Sequence, residues 1–431
     1  MAAAGRHRLR AGPPKEYLVN DQQPDLGRGT SASPAASDLP LLRLKPHEER
    51  RLQAGHLWIF SNEIDVSATP LTAFAPGQCA QVRSSRDRFL GYAYVNPATL
   101  IAARILGRDP VHPPGRPLLV HRLKVALSLR ERLYREPFYR LVFGESDLLP
   151  GLVVDRYGDT CVVQVGTAGM EALKGEILDA LERVVKPTAV LWKNDSPSRA
   201  LEGLPAYVES AVGKVPEQVD VVEGGVRFRV PLAAGQKTGW FFDQKDNRAA
   251  VARLADGARV LDVFSYAGSF GLQAARAGAK EVLCVDASAA ALEAAEASAA
   301  ANGLSVETRK GDAFDVLAAL AAEQQRFDIV VIDPPAFIKR KKDHPKGLAA
   351  YRKLNQQAMQ LVARDGFLVS CSCSYHLGAD ELTEAVQRSA RHLDRLAQVV
   401  EFRGQAPDHP VHPAIAETRY LKAVVCRITG D

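Results

Sequence analysis

The residues with the most chemistry to offer sit in short loops that follow apolar runs. Asp328-Ile329-Val330-Val331-Ile332 is one such run, and it ends in Asp333-Pro334-Pro335-Ala336-Phe337. Two consecutive prolines stiffen a loop, so this one can hold a carboxylate and an aromatic against a flat ring. A second run ends Ser370-Cys371-Ser372-Cys373-Ser374-Tyr375-His376. A thiol at a strand tip, facing the same cleft as a carboxylate, is positioned for covalent catalysis. Adding a thiolate to carbon-6 of cytosine turns carbon-5 into an enamine-like nucleophile. A carboxylate near the ring nitrogen or amino group supports the charge that moves there. Cys373 and Asp333 as a catalytic pair would therefore explain methylation of cytosine at carbon-5. The alternative is that Cys373 is a small residue packing a tight strand end, and alternation along the strand gives that role to Cys371.

A methyl donor needs its own site. The run Val260-Leu261-Asp262-Val263-Phe264 leads into Ser265-Tyr266-Ala267-Gly268-Ser269-Phe270-Gly271. Gly268 would let the backbone approach a ligand with no Cβ in the way. The next run closes on Asp286, placed to accept from both ribose hydroxyls of a nucleoside, and a third acid, Asp312, follows Lys310-Gly311 as an acceptor for an adenine amino group. The full G-x-G-x-x-G is missing, which counts against a dinucleotide pyrophosphate. S-adenosylmethionine has no phosphate and fits better, with Phe264, Gly268, Asp286, Asp312 and Asp333 as its contacts. The competing reading is that Asp262, Asp286 and Asp312 only cap helices. The loop Gly235-Gln236-Lys237-Thr238-Gly239-Trp240-Phe241-Phe242-Asp243-Gln244 combines turn glycines with polar and aromatic groups, so Gln236, Lys237 and Phe242 could cover the cofactor. Lys339-Arg340-Lys341-Lys342 follows the Asp333 loop directly and is read as an RNA phosphate contact, against the ordinary reading of a solvated charge run. His56 and Trp58 read as packing.

The elements that must position these groups alternate after Gln244. Helical Lys245–Ala255, Ser269–Ala277, Ala289–Ala301, Ala313–Glu323, a helix around Tyr351–Ala363, and Asp380–Ser389 interleave with strands Arg259–Val263, Glu281–Val285, Phe327–Ile332 and Gly366–Ser372. That pattern predicts an α/β fold, a Rossmann-like parallel sheet covered on both faces, with ligands at the carboxyl ends of its strands. Upstream, short runs Cys79–Val82, Phe89–Val95 and Ile101–Leu106 predict a small β-barrel, and Asp109–Pro117 a linker. Helical Val120–Arg135, strands Gly151–Tyr157, Cys161–Val165 and Val190–Lys193, and a hairpin 219–223/226–230 follow. The expected division is a disordered tail over 1–38, a barrel over 39–112, a mixed α+β middle domain over 113–218, and the catalytic domain over 219–431.

Composition bounds the partners. The 431 residues carry 55 Lys and Arg against 50 Asp and Glu, net +5, with 46% hydrophobic residues. This balance permits a nucleic-acid partner without requiring one. No apolar stretch reaches the ~18 residues of a membrane span. Six scattered cysteines without zinc spacing predict no metal and suit a reducing cytoplasm. The basic start lacks the apolar core of a secretory signal.

The chain also resembles a known family. GHLWIFSNEI (Gly55–Ile64), GESDLLPGLVVDRYG (Gly144–Gly158), GQKTGWFFDQKDNR (Gly235–Arg248), LDVFSYAGSFG, DPPAF, YRKLN (Tyr351–Asn355) and SCSCSYH are similar to those of the large-subunit ribosomal RNA methyltransferase I family. The resemblance runs from about Leu41 to Cys426. It implies a PUA-like RNA-binding barrel, a middle domain and a class I S-adenosylmethionine-dependent catalytic domain acting on ribosomal RNA. It also implies Cys373 as nucleophile and a cofactor site at Gly268, Asp286 and Asp312, helped by the Gly235–Gly239 loop. Sister cytosine-5 enzymes carry a second cysteine where this chain has Asp333-Pro334-Pro335. Tyr375-His376 departs from the bacterial pattern beside the nucleophile, which leaves the base open. Methylation of an exocyclic amine such as guanine N2, or RNA binding without catalysis, are the alternatives. A homodimer is a further expectation.

Overall fold

The computed structural model describes residues 38–235 and 238–430. The expectation for the tail therefore lies, except for Asp38, outside the described residues, as do Gln236 and Lys237.

The first unit is a five-stranded sheet in the order Leu41–Arg43, Gln78–Arg83, Phe89–Val95, Ala103–Gly107, Trp58–Ile59. Its two edges are drawn together by a bridge between Leu44 and Ile64 and by the flanking bonds Lys45 N to Glu63 O and Asp65 N to Arg43 O, both 2.9 Å. A sheet curled on itself in this way encloses Leu42, Leu44, Ile59, Val82, Ala93, Val95 and Ile105, which form one core.

The middle unit is a second five-stranded sheet, ordered Tyr207–Val212, Ala189–Asn194, Thr160–Val165, Leu152–Tyr157, Phe138–Phe143. Helices Arg116–Leu133 and Lys174–Val184 pack against each other and contribute Leu119, Leu123, Ile177 and Leu181 to its core. The outer strands Phe138–Phe143 and Tyr207–Val212 were not anticipated. The guanidinium of Arg130 on the first of these helices is fully buried. It donates to both oxygens of Asp147 (2.6 and 2.8 Å), to Arg140 O and to Asp408 O. A buried guanidinium persists only when its donors are matched in this way, and here the match ties the middle unit to the C-terminal segment.

The hairpin Gln218–Glu223/Val226–Pro231 forms a sheet of its own and packs on the helices Ser269–Arg276 and Ala289–Ala301. Next comes a seven-stranded sheet ordered Glu307–Lys310, Glu281–Asp286, Arg259–Val263, Phe327–Ile332, Val362–Ser372, Lys422–Gly430, Arg395–Gly404. The central runs Val260–Val263 and Ile329–Ile332 are buried throughout, as parallel strands covered on both faces must be. The sheet is not wholly parallel: Lys422–Gly430 runs antiparallel to both its neighbours. It and Arg395–Gly404 were missed in the sequence. The strand order reverses between Arg259–Val263 and Phe327–Ile332, and a ligand cleft belongs at the carboxyl ends of the strands beside such a switch.

A cleft at the strand ends holding a thiol and two acids

The cleft is there. It measures about 450 Å³ and is lined by Phe241, Asp243, Gln244, Arg248, Phe264, Ser265, Tyr266, Ser269, Phe270, Asp286, Ala287, Asp333, Pro334, Pro335, Ala336, Cys373 and Leu421. Four strand ends thus deliver Phe264, Asp286, Asp333 and Cys373 to one space.

The thiol is aimed by its neighbours. Cys371 is fully buried in the core, as alternation requires, while Cys373 is half-buried and faces the cleft. Ser372 and Ser374 on either side are fully buried and share the hydroxyl of Tyr351, at 2.8 and 2.9 Å. Ser374 Oγ also accepts from Ile338 N at 3.1 Å. One phenol on the helix His344–Leu361 therefore locks the Cys373 turn to the loop that carries Asp333. The antiparallel strand adds Lys422, opposite Ser372 in register. Its Nζ donates to Ser374 O at 2.5 Å and Tyr420 O at 2.8 Å. Burial lowers this ammonium to about 8, and the neighbouring Cys373 opposes that shift.

The loop after Arg259–Val263 is bent tightly. Phe264 and Tyr266 both have positive φ, 63° and 49°, a strained conformation for side chains of this size that must be over-determined by its surroundings. Tyr266 supplies two of those restraints: its N–H donates to Asp286 Oδ2 at 2.9 Å and its hydroxyl to Gly239 O at 3.0 Å. Asp286 Oδ1 accepts from Ser288 N at 2.9 Å, so both oxygens are fixed while the side chain borders the cleft. Asp262 lies just beneath. It accepts from Gly271 N at 2.9 Å, and burial, with Asp333 and Asp286 nearby, pushes it up to about 7.

The structure places the other sequence-based candidates and corrects one of them, Phe242. Gly268 does have positive φ (69°), but a Cβ there would stand 2.4 Å from Leu272 Cδ1 and 2.9 Å from Ala295 Cβ. The missing side chain makes room for a helix contact. Asp312 is exposed, caps the helix Ala313–Ala322 by accepting from Phe314 N, and does not border the cleft. The capping alternative holds for it. Phe242 is 1% exposed and packs on Tyr157 in the core, whereas its neighbour Phe241 borders the cleft. Lys339, Arg340, Lys341 and Lys342 are all exposed, and Arg340 is engaged by Asp343 at 2.9 Å.

Residues that sequence reasoning passed over do much of the positioning. Glu223 on the hairpin is buried and accepts from Arg248 (2.5 and 2.9 Å), Gln273 (2.7 Å) and Trp240 (3.1 Å). Burial alone would raise its carboxyl, but Arg248, Lys245 and Trp240 together outweigh that and hold it below the usual range. The hairpin, the Gly239–Gln244 loop and the helix behind the cleft share this one carboxylate. Tyr351 was visible in the YRKLN piece but without a role, and Lys422 gave no signal at all.

The donor set suits S-adenosylmethionine. Asp286 and Asp333 offer acceptors for a ribose and for cationic groups, Phe241 and Phe264 offer rings, and the buried Asp262 Oδ1 and Ser265 Oγ have no hydrogen-bond partner among the described residues. Among the described residues there is no cluster of three metal-ligating side chains and no helix long and apolar enough to cross a membrane.

Comparison with known proteins agrees. A family model described as S-adenosylmethionine-dependent methyltransferase matches residues 190–427, and one described as a PUA-like domain matches 42–108. The ribosomal RNA large subunit methyltransferase I of Shewanella amazonensis is 35% identical over 395 residues, covering 90% of this chain and 99% of its own. That of Erwinia tasmaniensis is 34% identical over 394 residues, with the same coverage. Among solved structures, the methyltransferase SMU.776 complexed with SAH superposes with a TM-score of 0.76 at 21% identity, over 90% of this chain and all of its own. The chain therefore belongs to the S-adenosylmethionine-dependent methyltransferases of large-subunit ribosomal RNA, in the methyltransferase I family.

Proposed function

We propose that this enzyme forms 5-methylcytosine in large-subunit ribosomal RNA through a transient bond between Cys373 Sγ and carbon-6 of the base. The observation that carries the reading is the half-buried thiol bordering the same cleft as Asp286 and Asp333, with both flanking serines pinned by Tyr351. Bound S-adenosylmethionine supplies an electrophilic methyl group. Phe264 and Asp286 hold the donor, and Phe241 closes over it. The target base enters from the Asp333-Pro334-Pro335 side. Cys373, as thiolate, bonds to carbon-6, and the electron pair of the 5,6 double bond makes carbon-5 nucleophilic. Asp333 shares a proton with the ring nitrogen, onto which the addition pushes negative charge, and accepts from the amino group. Once carbon-5 carries the methyl group and the donor has become S-adenosylhomocysteine, a base takes the carbon-5 proton, that electron pair re-forms the 5,6 double bond, and the sulfur leaves as thiolate. Lys422, with its positive charge beside the thiol, favours the thiolate at both ends of this cycle. The exposed Lys339–Lys342 run, just past the Asp333 loop, meets RNA phosphates.

Methylation of an exocyclic amine such as guanine N2 would use the Asp333 loop and leave the thiol without a task. The Cys373→Ala variant separates the two. It should bind S-adenosylmethionine like the wild type yet transfer no methyl group, and full activity would end the covalent scheme.

A further inference from the structure

A second cleft, of about 290 Å³, opens where three parts of the chain meet. Trp58 comes from the barrel; Phe143 to Glu145, Gly151, Val153, Gln164 to Gly166, Lys193 and Asn194 come from the middle sheet; Glu417 and Thr418 come from the segment before the last strand. Two of the signature stretches, Gly55–Ile64 and Gly144–Gly158, converge here, away from the methyl-donor site. Neither has a task in the chemistry derived above.

We infer that this cleft is a binding site for a single nucleobase of the RNA, one bearing an amino group and lying next to the methylated nucleotide. Three features support it. The first is chemistry. RNA is read in single strands by splaying bases onto aromatic side chains and bonding their edges. Here the walls are the half-buried Trp58 and Phe143 rings, with Trp58 held in place by its indole N–H to Glu145 Oε1 at 2.9 Å. The Gln164 carboxamide and the Glu417 carboxylate border the space, and among the described residues neither makes a hydrogen bond or ion pair. A carboxylate accepts from an exocyclic amino group, which adenine, cytosine and guanine have and uracil lacks. The second is size: the space is smaller than the 450 Å³ cleft, which must take a methyl donor and a base together. The third is position. Thr418 borders this cleft and Leu421 borders the other, so one short stretch of chain spans both. Three residues reach at most about 11 Å, a separation that a nucleotide step or two in an extended strand can bridge. Glu417 also influences the Tyr375 phenol, two residues beyond Cys373.

This inference rests on RNA being the substrate and is independent of which base atom is methylated. The test uses the full chain and large-subunit ribosomal RNA, stripped of protein, from cells lacking the enzyme. Gln164→Ala and Glu417→Gln change side chains that border the second cleft and not the methyl-donor cleft, and Gln164, unlike Glu417, has no link to Tyr375. Each should raise the KM for this RNA by about 5- to 100-fold, the range of one lost base contact, with kcat and S-adenosylmethionine affinity unchanged. In a second arm, a benzophenone amino acid replaces the exposed Ser198 at the rim, and its cross-link should fall within two nucleotides of the methylated position. Unchanged KM in both variants, or cross-links only at distant nucleotides, would overturn the inference while leaving the methyltransferase reading intact. If the wild type itself methylated none of this RNA, both readings would fall together.

Discussion

Asparagine at position 262 isolates the electrostatic tension beneath the cofactor cleft. The Asp262 side chain is fully buried; one oxygen accepts from Gly271 N at 2.9 Å and the other has no partner among the described residues. Burial first, then the Asp333 and Asp286 carboxylates, raise the group from 3.8 to about 7. A shift of about three units corresponds to ~4 kcal/mol. The sign follows from proton counting. The folded chain keeps a proton that the unfolded chain releases, so the unfolded state gains as pH rises. The stability contribution is intact below about pH 4 and lost as pH climbs to about 7. Asp262→Asn keeps an acceptor for Gly271 and cannot ionise. Its stability relative to the wild type, measured by urea unfolding, should therefore grow by up to ~4 kcal/mol between pH 4 and pH 8. A difference that stays flat with pH would refute the reasoning. The same coupling predicts that S-adenosylmethionine, a cation, drives proton release from the wild type near pH 7. That release would appear as a binding heat that depends on the buffer, and it should be absent in the variant.

Two further outcomes follow from the geometry of the thiol. Tyr351→Phe removes the hydroxyl shared by Ser372 and Ser374; methyl transfer should fall about 10- to 100-fold, equivalent to ~1–3 kcal/mol for the stranded groups, with S-adenosylmethionine affinity unchanged by calorimetry. Lys422→Met removes a cation that is charged below about pH 8 and sits beside Cys373. The pH at which iodoacetamide alkylates Cys373 should move upward, and an unmoved profile would dismiss the lysine. Cys79, the other half-buried thiol, is pushed up to about 11 by its burial and should react far more slowly.

The parts of the fold that were legible in the sequence are those governed by local physics. Val260–Val263 and Ile329–Ile332 stand out because both faces are buried and, Asp262 apart, every residue is apolar. Ala289–Ala301 stands out because Ser288 caps its start and Gly303, with φ 64°, ends it. Arg395–Gly404 is an edge strand with Leu396, Val400 and Phe402 exposed and an irregularity between Val399 and Glu401, so no alternation survives to be read. Its pairing with Lys422–Gly430 is a non-local fact. The same holds at the site. Cys373, Asp333 and Asp286 announce themselves by lying at strand ends. Whether Phe241 or Phe242 borders the cleft is decided by Tyr157, more than eighty positions away, which takes Phe242 into the core. Gly268 is a glycine for the sake of Leu272 and Ala295, and a backbone that must approach a helix looks the same in sequence as one that must approach a ligand.

The covalent step is tested most directly by trapping. Ribosomal RNA containing 5-fluorocytosine, incubated with the enzyme and S-adenosylmethionine, blocks removal of the group at carbon-5 and should leave protein and RNA joined. Digestion and mass spectrometry should then find the nucleotide on the peptide that holds Cys373, methylated at carbon-5. Methylated guanine in unmodified RNA, with no adduct on the fluorinated one, would contradict the account.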